Sequence, residues 1–479
     1  MQKILRYIIV FLMIAGLVQH QEAGTQETEQ DRIYTVVVDR FLNFNESNDT
    51  AVTEDETAPL PFGGDFAGIE NNLEYINDMG FNTLMLSPVF EKGDEDYLGY
   101  DTEAYGTIAE AFGGAEGLQS LVDAAHERDM KVVVDMPATA TDEYETFDDP
   151  VLNDIQQTYY EDIGNPEFID FTRNTNQETY REMAADFVSE FGIDGLSMTV
   201  VQDGIDADEF LPEDVTTYAV VPDDGITVDG FDHTSSQAHR QQLANAFSTT
   251  DQPIPEYPDD GTLLLADHWF TERFTLHAVN EDMFPGTRLM QLSAYLFGYP
   301  GPAAMQYGTE IAFNGEDYPM IHKQMNLWTD EEVVDYITEM SSVFKEYDQL
   351  YNSELEVLND GSDGQFVLRY NTMDQEDNAD FVLNVNDTAR TTSFEVPMKE
   401  RDQDKIMSGM LIGDSISASS ENPEHFNTVL DREETELYAV TDEVGLNNGY
   451  IIAAVIIFGG FGIFIWLVAR RRRPKEDQG

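Results

Sequence analysis

An α/β fold, a (β/α)8 barrel continued by a C-terminal antiparallel β-sandwich and one C-terminal transmembrane helix, is predicted by three features of the sequence. From Asp31 onward, short β-branched runs alternate with stretches of helical period. Repeated alternation implies parallel pairing, and eight such strands close into a barrel. After about Ser353 the pattern changes to short alternating strands divided by Asn, Asp and Gly, as in a small sandwich. Finally, "YIIAAVIIFGGFGIFIWLVA" (450–469) carries no charged residue. Twenty helical residues rise about 30 Å, the thickness of a bilayer's hydrocarbon core.

In chain order, Lys3 and Arg6 precede an apolar run from Tyr7 to Val18, which reads as a secretory signal over 1–24. No clean small-x-small cleavage site follows, so an uncleaved anchor stands as the alternative. The barrel is expected over 31–350. Its strands are "IYTVVVDRF", "FNTLMLSPVF", "KVVVDMP", "GIDGLSMTV", "TYAVVP", "GITVDGF", "LLLADHW" and "GPAAMQYG", with amphipathic helices such as "GIENNLEYINDMG" and "GLQSLVDAAHERDM" between them. The sandwich is expected over 353–440, from "GQFVLRYNTM", "ADFVLNVND", "TTSFEVPM" and "ELYAVTDE". The span at 450–469 is followed by a basic tail, 470–479, opening "RRRRPK". By the positive-inside rule that tail is cytoplasmic and the rest of the chain extracytoplasmic, so the expected location is the cell membrane, single-pass.

Composition narrows the function. The 479 residues contain no cysteine, which excludes disulfides and thiolate metal sites. With 93 acidic against 25 basic residues the formal net charge is −68, and nucleic acid is excluded as a partner because phosphate binding needs basic patches. A salt-adapted surface and an acidic docking face both fit this charge. The eight histidines show no metal-ligand spacing and read as surface or packing residues.

Four segments carry a family resemblance. "DRIYTVVVDRFLNFNESND" with "FGGDFAGIENNLEYINDMGFNTLMLSPVFE" resembles the opening of the α-amylase family, the family 13 glycoside hydrolases. "LGYDTEAYGTIAEAFGGAEGLQSLVDAAHERDMKVVVDMP" is similar to its second and third barrel units, and "FIDFTRNTNQETYREMAADFVSEFGIDGLSM" to the approach to its fourth strand. "PGTRLMQLSAYLFGYPGPAAMQYGTEIAFNG" resembles its seventh helix and eighth strand. The family places a nucleophilic carboxylate at the end of strand four, an acid at the end of strand five and a stabilising Asp at the end of strand seven. A retaining glycosidase needs two carboxyl groups about 5 Å apart, one to form the glycosyl intermediate and one to protonate the leaving oxygen.

Carried over position by position, that pattern meets no acid. Thr199 stands at the nucleophile and Ser197 at its Arg, Val220 at the general acid, and Phe270 at the stabilising Asp. A one-residue slip at the last position retains His268 and puts Trp269 there instead. On strand three Asp135 is retained, while Thr139 and Ala140 replace an Asn and a His. Tyr100 matches the family's aromatic sugar platform. The expected substrate-binding residues are therefore Tyr100, Asp135, Asp267 and Trp269.

The resemblance also implies calcium in the loop after strand one, held by the side chains of Asn43, Asn45, Asn48, Asp49 and Asp65 and the carbonyl of Gly63. Oxygen ligands from a turn-rich loop suit a hard cation; an ordinary Asx-turn loop is the plain alternative. The reading is a catalytically degenerate, membrane-anchored relative that binds α-glucan or another carbohydrate, or a membrane protein. The alternative is an active α-glucan hydrolase or transglycosylase using relocated acids, with Asp135, Asp223 or Asp267 nearest. The discriminating feature is exposure: platform aromatics open to solvent favour glycan binding, and their burial favours a structural or partner-binding role.

Overall fold

A computed structural model describes residues 30–442, apart from 50, 141–146, 148–166, 259–260, 329–331, 373–378 and 421. The expected signal (1–24), membrane span (450–469) and basic tail (470–479) lie outside the described residues. Among the described residues no helix is long and apolar enough to cross a membrane.

Eight parallel strands form the barrel: Arg32–Val36, Thr83–Leu86, Lys131–Asp135, Gly195–Thr199, Thr216–Val220, His233–Thr234, Leu264–Leu265 and Ala303–Gln306. They are called strands one to eight below. Their hydrogen-bonded order is six-five-four-three-two-one-eight-seven, so nearly every neighbour in space is a neighbour in sequence. A lone parallel bridge between Thr234 and Thr262 joins six to seven and completes the ring. Strands two and four are buried at every residue, as strands covered on both faces must be, and this explains the Leu and Met they carry.

Two expected elements are corrected. The run "GITVDGF" does not supply strand six. Its Val228–Asp229 pairs instead with Ile205–Asp206 in a small separate ribbon, and His233–Thr234 takes the barrel position. A two-residue strand flanked by Asp, Ser and Gly has no apolar run to announce it. Strand seven is likewise two residues, Leu264–Leu265, and the following Ala266 to Phe270 leave the sheet.

The sandwich has an antiparallel sheet of six strands, in the order Glu354–Asp360, Gln365–Asn371, Asp380–Asn386, Glu434–Asp442, Lys405–Gly409 and Ser415–Ile416. Against it lies the pair Thr392–Pro397 and His425–Leu430. Alternation along Gln365–Asn371 shows how the core is divided. Phe366, Leu368 and Tyr370 join the barrel's core, while Val367 joins a separate core inside the sandwich with Val382, Met407 and Phe426. Period-two pleating makes this division unavoidable. At the seam Arg288, on the helix Pro285–Gly298, pairs with Asp387 at 2.6 Å and Glu433 at 2.7 Å.

Candidate functional site at the barrel mouth

Side chains at the carboxyl ends of a (β/α)8 barrel point into its mouth, where such folds place their chemistry. Asp135, Thr199 and Val220 are the last residues of strands three, four and five. Adjacent parallel strands hold them in register: Asp135 lies opposite Ser197, and Thr199 opposite Val220. These are the positions the sequence singled out.

The mouth is filled by a connected group. The Tyr100 hydroxyl donates to Asp135 Oδ2 at 2.6 Å and lies 3.3 Å from Thr199 Oγ1. Trp269 Nε1 donates to the same Tyr100 oxygen at 2.9 Å. Phe270 sits tilted on the Tyr100 ring, centroids 5.0 Å apart. Both aromatics at the seventh strand's end therefore reach the cluster, but Trp269 is the one that brings a polar atom to it. Tyr100 and Trp269 are each 1% exposed and Asp135 is 0% exposed. The structure thus unites three of the four expected sugar-binding residues and turns them inward.

Burial sets the electrostatics. Desolvation pushes the Asp135 carboxyl up to about 7, opposed by hydrogen bonds from Tyr100, Thr199 and Ser197. After desolvation, the largest influences on it are these hydroxyl and amide hydrogen bonds and not a charged neighbour. Val220, at the expected general-acid position, is buried and apolar. Beside the cluster His268 is buried with both ring nitrogens lacking hydrogen-bond partners. Desolvation, with the Arg240 charge, depresses it to about 3, so it is neutral.

Asp267 belongs elsewhere. It accepts from Thr309 Oγ1 at 2.9 Å and from the backbone N–H of Phe274 at 3.2 Å, tying down the start of the helix Phe274–Asn280. Asp223 accepts from Gly225 N at 2.8 Å in an exposed turn. Neither is hydrogen-bonded to the Tyr100 cluster.

One part of the site was missed. His322 bridges Trp269 to Tyr97: its Nε2 is 2.7 Å from the Trp269 carbonyl and its Nδ1 is 2.8 Å from the Tyr97 hydroxyl. A carbonyl only accepts, so Nε2 carries the proton and Nδ1 receives the Tyr97 O–H. The Arg40 guanidinium lies over Tyr97 at 3.5 Å and over Phe62 at 3.8 Å. His322 stands 53 residues from Trp269 and 225 from Tyr97, and no local pattern links them.

In the loop after strand one, Asn43 Nδ2 donates to Asp49 at 2.9 Å, and the Asn43 and Asn48 Oδ1 atoms are buried without partners. Gly63 has φ +83°, and a Cβ there would stand 2.5 Å from Asn43 Nδ2 and 2.6 Å from Asp49 Oδ1. Only glycine permits that approach. Asp65 is differently engaged, accepting from Asn45 N and capping the helix Phe66–Glu70 through Gly68 N. The Asn45 oxygen accepts from Ser47 on the exposed side. The donor set at Asn43, Asn48, Asp49 and Gly63 fits a hard cation; Asn45 and Asp65 serve the loop's own backbone. Among the described residues no group of three or more His, Asp or Glu is placed to hold a metal.

Comparison with known proteins agrees with this architecture. The family described as alpha amylase, catalytic domain, matches residues 35–163. Neopullulanase 2 of Thermoactinomyces vulgaris is 27% identical over 63% of this chain and 59% of its own length. Alpha-amylase 3 of Schizosaccharomyces pombe is 35% identical over 27% of this chain and 24% of its own. The chain therefore spans a quarter to three-fifths of these relatives. Among solved structures an Anoxybacillus alpha-amylase superimposes with a TM-score of 0.74 at 26% identity, covering 88% of this chain and all of that one. A Geobacillus thermoleovorans alpha-amylase complexed with acarbose gives 0.71 at 24% identity, a likeness of fold.

Proposed function

We propose that this chain, an alpha-amylase-type barrel with its sandwich, no longer cleaves glycosidic bonds and binds α-glucan outside the barrel axis, since the burial of Tyr100 and Trp269 counts against a sugar platform at the mouth. The observation that carries the reading is the mouth itself. Strands four and five end in Thr199 and Val220, and Trp269 fills the space beyond strand seven with its indole bonded to Tyr100. Retaining hydrolysis needs two carboxyl groups facing one sugar. Asp135 is buried, and among the described residues no second carboxyl is hydrogen-bonded to the group it forms with Tyr100, Thr199 and Trp269. Losing the nucleophile alone costs several orders of magnitude in rate.

The glucan assignment is supported by relatives named as amylases, neopullulanase and cyclomaltodextrinase and by a structural neighbour in complex with maltose. Calcium is part of the proposal, held by Asn43, Asn48, Asp49 and the Gly63 carbonyl, where it would replace the Asn43–Asp49 hydrogen bond and fix the loop. The proposed setting is extracytoplasmic, tethered through 450–469. The uncharged run and its basic flank support this, and a membrane-protein partner would meet the chain there.

One feature favours the alternative of a surviving hydrolase: an acid held near neutrality, as Asp135 is, matches what proton donation requires. The test is turnover of maltoheptaose and a chromogenic α-glucoside by the full chain with calcium, alongside Asp135→Asn. No turnover together with measurable maltoheptaose binding is expected. Turnover that Asp135→Asn abolishes overturns the proposal.

A further inference from the structure

The large hydrophobic side chains that the barrel leaves exposed among the described residues are Phe44, Val52, Val279, Phe284 and Trp328. All of them lie on connections leaving the carboxyl ends of just three strands. Phe44 and Val52 follow strand one, Val279 and Phe284 follow strand seven, and Trp328 follows strand eight. Strands seven, eight and one are consecutive in the ring. Scattered exposed hydrophobics need no explanation, but confinement to one arc of one rim does.

The aromatics of this arc are held outward. Trp328 is 95% exposed, and its backbone N–H donates to Asn326 Oδ1 at 3.0 Å. Met325 N donates to Arg40 O at 2.7 Å, tying the Trp328 loop to the end of strand one. Phe284 is 65% exposed, and its ring lies over Gly286, where a Cβ would stand 2.7 Å from it. Phe44, also well exposed, completes the arc.

We propose that this arc is a docking surface for an α-glucan chain, distinct from the sealed barrel axis, with Trp328, Phe284 and Phe44 stacking against sugar faces. The inference rests on the α-glucan reading above. Charge rules out anionic occupants, and the α-glucan reading supplies the neutral one. The connections that carry the rings also carry Glu46, Glu54, Asp55, Glu281 and Asp282, which repel anionic lipid and nucleic acid. A neutral polyhydroxyl chain meets no such repulsion. Several weak stacking sites along one flexible polymer act together, so the arc gains more from a long glucan than from a disaccharide.

The experiment is electrophoresis of the full chain in detergent through gels containing amylopectin, with Trp328→Ala, Trp328→Phe and Phe284→Ala/Trp328→Ala. The wild type is expected to be retarded. Trp328→Ala should weaken retention by about tenfold, Trp328→Phe should keep most of it, and the double variant should abolish it, all with unchanged melting. Of the chain's three tryptophans, Trp269 is buried and Trp466 stands in the apolar run 450–469, which detergent covers. Maltoheptaose should therefore shield Trp328 fluorescence from acrylamide. Equal retention of wild type and double variant overturns the docking surface and leaves the α-glucan reading standing. A wild type that is not retarded overturns both.

Discussion

Asp135 at the barrel mouth and Asp387 at the seam with the sandwich are both buried carboxyls, and they are partnered in opposite ways. Asp387 has Arg288 at 2.6 Å; among the described residues Asp135 is hydrogen-bonded by hydroxyl and amide groups and makes no ion pair. Desolvation raises both, Asp387 to about 6 with Arg288 pulling it back, and Asp135 to about 7. The seam therefore holds an ion pair that ties two domains, and the mouth holds an acid close to neutral. Polarity is spent on joining the domains, while the place where an amylase-type barrel would keep its charge is packed as core.

Breaking the seam should have the largest effect. Arg288→Leu leaves Asp387 buried and unpaired at neutral pH, at a cost of roughly 3 to 5 kcal/mol. Thermal or urea unfolding should show the loss, and Arg288→Leu/Asp387→Leu should regain much of it. A double variant as unstable as the single one would mean that side-chain packing, and not charge, holds the seam.

The mouth acid predicts an unusual pH response. A carboxyl whose folded value lies above its unfolded one binds more protons when folded, so its stabilisation is fully present below about pH 4 and is lost as pH rises toward 7. The lost stability is on the order of 3 kcal/mol. Relative to wild type, Asp135→Asn should gain that much between pH 4.5 and pH 8, read from paired urea titrations. A flat difference across that range would show that Asp135 is ionised in the folded chain.

Calcium comes next. A ligand present at one hundred times its Kd stabilises the folded state by about 2.7 kcal/mol. Chelation should therefore lower the melting temperature of the wild type, and Asp49→Asn should remove most of that dependence, while Asn45→Ala should leave it in place. The smallest effect belongs to Tyr100→Phe, which strips one partner from Asp135 and one from Trp269. It should cost about 1 to 3 kcal/mol, with a shift in Trp269 emission as the independent sign that the network has opened.

Much of this was legible from the sequence. The long apolar runs marked strands one to five and eight, and the Thr199 and Val220 positions were visible in the motifs around them. Strand six was not, because His233 and Thr234 form a strand through neighbours' backbones and not through apolar content of their own. The roles of Tyr100 and Trp269 were also hidden: an aromatic at a strand end looks the same in sequence whether it faces a ligand or another side chain. Asp267 looked like a candidate acid, and only the fold reveals that it holds Phe274 N and Thr309. Such partners lie many residues away, beyond any local pattern.

Among the described residues a single bridge, Thr234 to Thr262, joins strands six and seven, and it carries a consequence for motion. Every other junction in the ring is a ladder of two to five residue pairs, whereas this one rests on Thr234 N to Gly261 O and Leu263 N to Thr234 O. A closed hoop under thermal agitation parts at its thinnest weld, and local opening in proteins follows the same rule. The barrel is thus mechanically a curled ribbon clasped at one point. Its amide protons should trade with solvent first at Thr234 and Leu263 and last on the opposite wall, around strands two and three.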